Sequence, residues 1–312
     1  MSKNINVAGQ NVVNVTGTIS QIDTREGTFK TGSMVGKPYR SATVTVRVDQ
    51  TYGGKAEISE IPVELFAGKF KKDGSLNPGY DNLTQLVTNY HSIAQAGLEG
   101  ASRISFSGRS AHINENLFPS KQNPEQVVST TRVSCMYYSP ARATGDCATF
   151  GLDIYILGME RETTSAGEET GRLKINGLYV SNRGPGSPAT GEMMTFFVER
   201  PETIDYIERN WEINTTQYVE GRMRHCTEEV QYHSENTWGE DIPRTSTRSR
   251  NELIITNGKP FPYEEELSYA PEDIQVLIAD RRARKQQIVN EAMQANKPAP
   301  KKVAPSNLDW DE

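Results

Sequence analysis

In the first part of the chain, cationic side chains alternate with flat rings. Arg25, Lys30, Lys37, Arg40, Arg47 and Lys55 are interleaved with Phe29, Tyr39 and Tyr52. Lys69, Lys71 and Lys72 surround Phe70, just beyond Phe66. Cations spaced along a groove hold a polyanion by its phosphates, and aromatic faces take up planar bases, each stacked base contributing about 1–3 kcal/mol. A second set combines Lys174, Arg183, Arg222, Arg224, Arg244, Arg248 and Arg250 with Tyr179, Phe197, Tyr218 and Trp238. Such chemistry gives broad, salt-sensitive binding with no sequence code. For any lone Lys or Arg the plainer reading is a solvated surface charge, and Phe66, Phe106, Phe196 and Trp211 read as core residues. Arg47 stands apart because it alternates away from a valine face. Trp238 and Phe29 fall in polar loops, where burial needs a separate explanation.

Sequence patterns for catalysis are missing. The chain has no Walker loop, HExxH or GxSxG, and its acidic residues show no pairing in their spacing. Of the four histidines, His91, His112, His225 and His233, the run His225-Cys226 with His233 is the nearest approach to a zinc site. It lacks a paired CxxC and a clear fourth ligand, so exposed loop residues explain it better. The expectation is a protein that binds without turnover, with no cofactor and no metal.

The 312 residues carry a net charge of −6, unevenly distributed. Residues 1–140 hold 14 Lys/Arg and 11 Asp/Glu, whereas residues 141–312 hold 20 and 29. A basic face can therefore coexist with an acidic end. Three cysteines, Cys135, Cys147 and Cys226, are an odd number and form no disulfide framework. With no long apolar run and no apolar signal core at Met1–Asn6, no membrane partner is expected and the expected residence is cytoplasmic.

The positioning elements are mostly strands. Asn11–Gln21 and Ser41–Gln50 alternate, the latter with Ala42, Val44, Val46 and Val48 on one face, and Ile58–Ala67 follows. Residues 23–40 read as a loop or loose hairpin. Asp81–Ala96 has helical spacing, with Asp81 as N-cap and Gly97 as stop. Two more strands come from Ala101–Arg109 and Val127–Tyr138. The order then returns: strands at Phe150–Met159, Arg172–Val180 and Glu192–Glu199, a helix at Pro201–Trp211, strands at Gln217–Arg224 and Arg250–Thr256, with 225–249 as a long polar loop between the last two. Three strands, a helix and two strands is the connectivity of the five-stranded OB barrel. The expected fold is therefore mainly β, with two OB-like five-stranded barrels in tandem (residues 1–140 and 147–262), a helix over 271–294 and a disordered acidic tail over 295–312.

Two short motifs add a resemblance. Asn11-Val12-Val13-Asn14-Val15-Thr16-Gly17-Thr18-Ile19 is similar to the opening strand of bacterial single-stranded DNA-binding proteins, and Gln217-Tyr218-Val219-Glu220-Gly221-Arg222-Met223-Arg224 resembles another of their strands. Ser102–Arg109 matches a third more loosely. In fold order the resemblance covers residues 10–257, and it points to a bacteriophage-encoded single-strand binder. It implies a protein that coats single-stranded DNA during replication or recombination, with RNA also open as a ligand. The chain differs from that pattern in its two units, its large insertions and a tail lacking the usual Pro-Phe ending. The rival expectation is a phage virion component of a tail or baseplate that uses small β modules for assembly.

The C-terminal arm completes the sequence picture. Pro271-Glu272-Asp273 opens a helix with Ile274, Leu277, Ile278, Ile288 and Val289 on an apolar side and Arg281, Arg282, Arg284 and Lys285 in its middle. That helix packs on the body, pairs subunits or rests on DNA; self-association stays open. Residues 295–306 read as a tether. Asp309, Trp310, Asp311 and Glu312 form an acidic tip around one aromatic, the pattern of a docking peptide for replication or recombination proteins, with a frayed acidic end as the plainer reading.

Overall fold

The computed structural model describes residues 3–120, 123–141, 145–164, 167–182, 187–233 and 243–295, with the side chains of residues 109, 226–250 and 295 left aside. The expected tether and acidic tip, Arg183 and Trp238 lie outside the described residues. Twelve strands are described: β1 (Asn11–Thr28), β2 (Pro38–Tyr52), β3 (Lys55–Gly68), β4 (Arg103–Phe106), β5 (Ala111–Pro119), β6 (Val127–Cys135), β7 (Ser139–Pro140), β8 (Cys147–Thr163), β9 (Glu169–Ser181), β10 (Thr190–Val198), β11 (Thr216–His233) and β12 (Pro243–Gly258). The helices are α1 (Pro78–Asn89), α2 (Ile93–Gly100), α3 (Pro201–Asn210) and α4 (Pro271–Ala295).

Two separate five-stranded barrels in tandem do not form. The strands belong to one twelve-stranded mixed sheet, ordered β11-β12-β10-β9-β8-β1-β2-β3-β6-β5, with β4 and β7 off that path. β1 prevents the separation. Its Asn11–Thr16 stretch pairs antiparallel with β8, its Val15–Thr18 stretch with β4, and residues from Thr18 onward with β2. Most pairings are antiparallel, but β3 with β6 and β10 with β12 run parallel. In the second stretch β11 pairs with both β12 and β8, so the pairings return to β8. In the first stretch Asn11 bridges to β5 by its side chain: it donates to the Ile113 carbonyl at 2.8 Å and accepts from the Ile113 amide at 3.0 Å.

Several strands run further than their alternation suggests. Residues 23–28 and 38–40, expected as loop, extend the β1–β2 hairpin, and most of 225–249 is paired between β11 and β12. Polar strands of this kind carry no apolar period, and their partners supply the order. β5 and β7 have no counterpart in the sequence expectation. α1 starts at Pro78, three residues before the expected cap. The side chain of Asn77 accepts from the Gly79 amide, and Pro78 fits a first turn where no donor is needed. The helix stops at Asn89, and the backbone of His91 then binds Ser102 in both directions. Gly97, at φ +69°, interrupts α2.

One apolar core runs through both stretches. Val13, Val15, Val44, Val46, Val63, Leu86, Ile104, Phe106, Leu152, Ile154, Phe196 and Val219 are among its buried members. The alternation of Ala42, Val44, Val46 and Val48 toward the inside is as the sequence expects, and Phe106, Phe196 and Trp211 are core residues. α4 joins a second cluster through Ile274 and Leu277, against Tyr155, Leu178 and Tyr269. Its Arg281 is bonded to the buried carboxylate of Glu115 on β5, and Arg284 donates to the Gly191 carbonyl at 2.9 Å. No helix among the described residues is long and apolar enough to cross a membrane.

Gly221 marks a shift of register where β11 passes between β8 and β12. A Cβ there would lie 2.0 Å from the Ile254 carbonyl oxygen and 2.6 Å from the Phe150 ring. Both obstacles sit in the middle of the fold and neither can step aside. Gly221→Ala is expected to lower unfolding stability by about 3 kcal/mol. A urea midpoint unchanged from the parent would show that the strands have more room there than described.

Candidate functional site

Phe29 sits on the turn joining β1 to β2. Its amide donates to the Lys37 carbonyl at 3.0 Å and its carbonyl accepts from Gly36 at 2.9 Å, closing the turn. Gly32 and Gly36, at φ +79° and +78°, supply the left-handed positions it needs. Three rings gather beside it: Phe29 to Tyr39 at 5.3 Å, Phe29 to Phe66 at 5.8 Å and Tyr39 to Phe66 at 5.2 Å between centroids. Small residues make the space. A Cβ on Gly27 would fall 2.7 Å from the Tyr39 hydroxyl oxygen, and one on Gly68 3.2 Å from the Phe29 ring. Phe66 is 55% exposed, so the cluster presents an aromatic surface outward.

Cations surround these rings. Lys37 and Lys69 stand about the Phe70 ring, at 5.9 and 6.0 Å from its centroid. Lys30, Lys71 and Lys72 are exposed on the adjoining loops. Arg25 lies across β1 from Ser41. Among the described residues no carboxylate pairs with Arg25, Lys30, Lys37, Lys69 or Lys72, whereas Lys71 lies close enough to Asp73 for their charges to interact. Next to the rings a groove of about 920 Å³ crosses the outward face of β1, β2, β3, β5 and β6. Arg25, Phe66, Glu64, Arg132 and His112 line it, and Arg132 reaches Glu64 at 2.6 Å. Burial holds the His112 imidazole below its ordinary range, against a hydrogen bond to the Ser110 backbone, so the ring is neutral at pH 7.

The remaining candidates from the first stretch are tied elsewhere. Arg40 pairs with Glu26 across the hairpin on β1 and reaches α1, where it bonds Thr84 and lies 4.7 Å from the Tyr80 ring centroid. Arg47 does face away from the valines, but it binds Asp49 at 3.0 Å. Tyr52 lies beneath the Arg222 guanidinium at 4.2 Å, and Lys55 is exposed nearby.

Arg222 and Arg224 belong to an ion network. Arg222 pairs with Glu57 and, at 2.9 Å, with Glu199; Arg224 pairs with Glu199 at 2.7 Å and with Glu252. Arg172 adds Glu162 at 2.7 Å and Glu252 at 3.1 Å. Because Glu57 is on β3, the network also fastens the first stretch to the second. Three guanidinium groups meet four carboxylates, which leaves no positive charge for a ligand. Lys174 binds Glu160 at 2.8 Å. Tyr179 is buried with its hydroxyl donating to the Gly9 carbonyl, and burial pushes that hydroxyl up to about 12. Arg244 and Arg248 fall on β12 opposite Tyr232 and Glu228, with side chains outside the described set, as is that of Cys226. Cys135 and Cys147 are free thiols. Among the described residues no group of three or more His, Cys, Asp or Glu could hold a metal ion.

The structure places Phe29 beside Tyr39, with Lys37 and Lys69 about the neighbouring Phe70 ring and Arg25 on the adjoining groove; Phe66, a candidate platform that the sequence favours as core, is exposed. The missed signal is the phase of β3: Ile61, Val63, Leu65 and Ala67 point inward, so Phe66 shares its face with Glu60 and Glu64. Arg132 had no such signal, since its place depends on the parallel β3–β6 pairing.

The family model described as YorF matches residues 10–294. No curated protein matches. Among solved structures, the wild-type single-stranded DNA binding protein from Thermus aquaticus superposes with a TM-score of 0.50 at 11% identity, covering 85% of this chain and 99% of that one. A deletion mutant of the same Thermus aquaticus protein gives 0.46 at 13% identity, over 85% and 98%. The first likeness shows a shared overall fold.

The ion network also makes a prediction. Burial alone would raise the Glu199 carboxyl, but Arg224 and Arg222 together hold it below its ordinary 4.5. A carboxylate depressed in the folded state stabilises above its unfolded pKa, and that contribution is lost as pH falls through the folded value. Glu199→Gln should therefore cost about 1–2 kcal/mol at neutral pH, discounted for partial exposure, and progressively less below about pH 4.5. Chemical denaturation of both proteins across that range checks it; a gap that stays constant with pH would mean Glu199 is not held in this way.

Proposed function

We propose that this chain, which belongs to the YorF family, binds single-stranded DNA without turnover, on the outward face formed by Phe29, Tyr39, Phe66 and the cations around them. The observation that carries the reading is the three-ring cluster, half-buried at Phe29 and Tyr39 and exposed at Phe66, beside Arg25, Lys37 and Lys69, which no described carboxylate pairs with. Bases stack on rings while phosphates meet Arg25, Lys37 and Lys69, the two halves of single-strand recognition. The fold shared with the Thermus aquaticus single-stranded DNA binding protein supports the same reading. So do the motifs at Asn11–Ile19 and Gln217–Arg224. On this reading the protein coats single strands in phage DNA replication or recombination, and the acidic tip at Asp309–Glu312 recruits partners.

Fluorescence anisotropy with labelled dT, at two salt concentrations and with duplex as control, tests the proposal. Binding to dT should exceed binding to duplex and weaken as salt rises. Phe66→Ala should weaken dT binding about tenfold. Lys174→Ala, already paired with Glu160, should change it less than about twofold. An absence of dT binding at low salt, with or without the tip, would overturn the reading; accompanying self-association would then favour assembly modules of a virion.

A further inference from the structure

A groove that only held phosphates and stacked bases would have no use for acids, yet this one contains two. Asp23 and Glu64 line it together with Arg25 and Arg132. Asp23 and Arg25 are two residues apart on β1 and project to the same face, across from Thr43 and Ser41 of β2. Glu64 on β3 and Arg132 on β6 are bonded at 2.6 Å, and each is about two-fifths exposed, at 41% and 39%. The Arg132 Nε is buried and has no hydrogen-bond partner among the described residues, so what the guanidinium can donate to a ligand comes from its Nη groups, one of which holds Glu64. Asp23 accepts from the Gln21 side-chain amide at 2.9–3.0 Å and has lone pairs to spare.

A carboxylate repels phosphate and can only accept hydrogen bonds. The part of a nucleic acid that suits it is a base edge bearing N–H donors. A guanidinium beside it donates, and so suits the carbonyl and ring-nitrogen acceptors next to that donor. Cytosine carries this arrangement on one edge: an exocyclic N4 amine adjoining the N3 and O2 acceptors. Thymine and uracil replace the amine with a carbonyl oxygen, which faces a carboxylate unfavourably. Glu and Asp accepting from cytosine N4 is a known pairing chemistry.

We infer that the groove reads unpaired bases by their edges and favours cytosine over thymine or uracil, with Asp23 and Glu64 as the discriminating residues and Arg132 as the donor beside Glu64. The inference rests on the single-strand-binding reading of the same face and adds a base preference to it. The phosphates would stay at the rim with Lys37 and Lys69 while the bases point into the groove.

The test compares equal lengths of oligo-dC, oligo-dU and oligo-dT on the full chain at one salt concentration. The dC and dU pair isolates the amine, because the two differ only at the 4-position substituent and the N3 proton that goes with it. Tighter binding of dC than dU by about tenfold is expected. Glu64→Gln and Asp23→Asn should each lower that ratio, and the double variant should bring it near one. Both positions are solvent-accessible, and a thermal melt confirms that the variants fold. Equal affinity for dC and dU overturns the inference and leaves the binding reading standing. A preference that survives in the double variant overturns the assignment to these carboxylates. Failure to bind any of the three overturns the binding reading and the inference with it.

Discussion

Everything in this molecule depends on the pairing of β1. The strand serves β2 along most of its length and β8 and β4 at its beginning, so two sets of strands that could each close on themselves are joined as one sheet. Hydrogen bonding by an edge drives this, because an exposed row of backbone donors and acceptors is satisfied wherever a partner is available. Once β1 and β8 are joined, the apolar faces of both sets meet in one core, in which Val13 and Val15 lie together with Leu152 and Ile154. Gly17 belongs to the same constraint. A Cβ there would lie 2.2 Å from the Arg47 carbonyl oxygen, so the crossing of β1 over β2 is open only to glycine.

The ion network is the second joint. Glu57 comes from β3, Glu199 from the end of β10, Arg222 and Arg224 from β11. Partly buried charges of this kind contribute little net stability when made, yet removing one partner leaves another uncompensated. Their main consequence is geometric: Tyr52 and Glu57 of the first stretch are held against Arg222 of β11. Arg25, Lys30, Lys37 and Lys69, which pair with no described carboxylate, lie near the Phe29 turn that joins β1 to β2. Position in the fold thereby separates structural arginines from available ones, although the sequence presents them as one class.

Much of the element order was readable from the residues. The valine alternation of β2, the repeat of three strands, helix and strands, and the core roles of Phe106, Phe196 and Trp211 all follow from period and burial. What was not readable was partnership. Arg222 in a strand looks the same whether it meets a phosphate or Glu57, which lies 165 residues away. The joining of β1 to β8 is equally invisible, because an alternating strand has two edges and the sequence does not say how many partners will use them. Polar stretches such as 225–233 lack an apolar face, so their strand character is decided by the ribbon they form with 243–251 and not by their own period.

This separation of arginines also resolves the apparent conflict between an acidic chain and a polyanionic ligand. Net charge acts at a distance, but within about 8–10 Å of a surface in physiological salt the local charges decide. Glu57 of the first stretch and Glu162, Glu199 and Glu252 of the second are largely occupied by Arg172, Arg222 and Arg224, so the charges of this network offset one another away from the Phe29 turn. Near the rings, Arg25, Lys37 and Lys69 meet no described carboxylate. The two acids that do approach the groove are Glu64, whose charge is balanced by Arg132, and Asp23, two residues from Arg25. On the proposed reading, a phosphate chain following the rim would meet Arg25, Lys37 and Lys69, while the charges of the groove floor largely offset one another. Such an arrangement would draw in the backbone without gripping it everywhere and leave the bases free to settle on the rings.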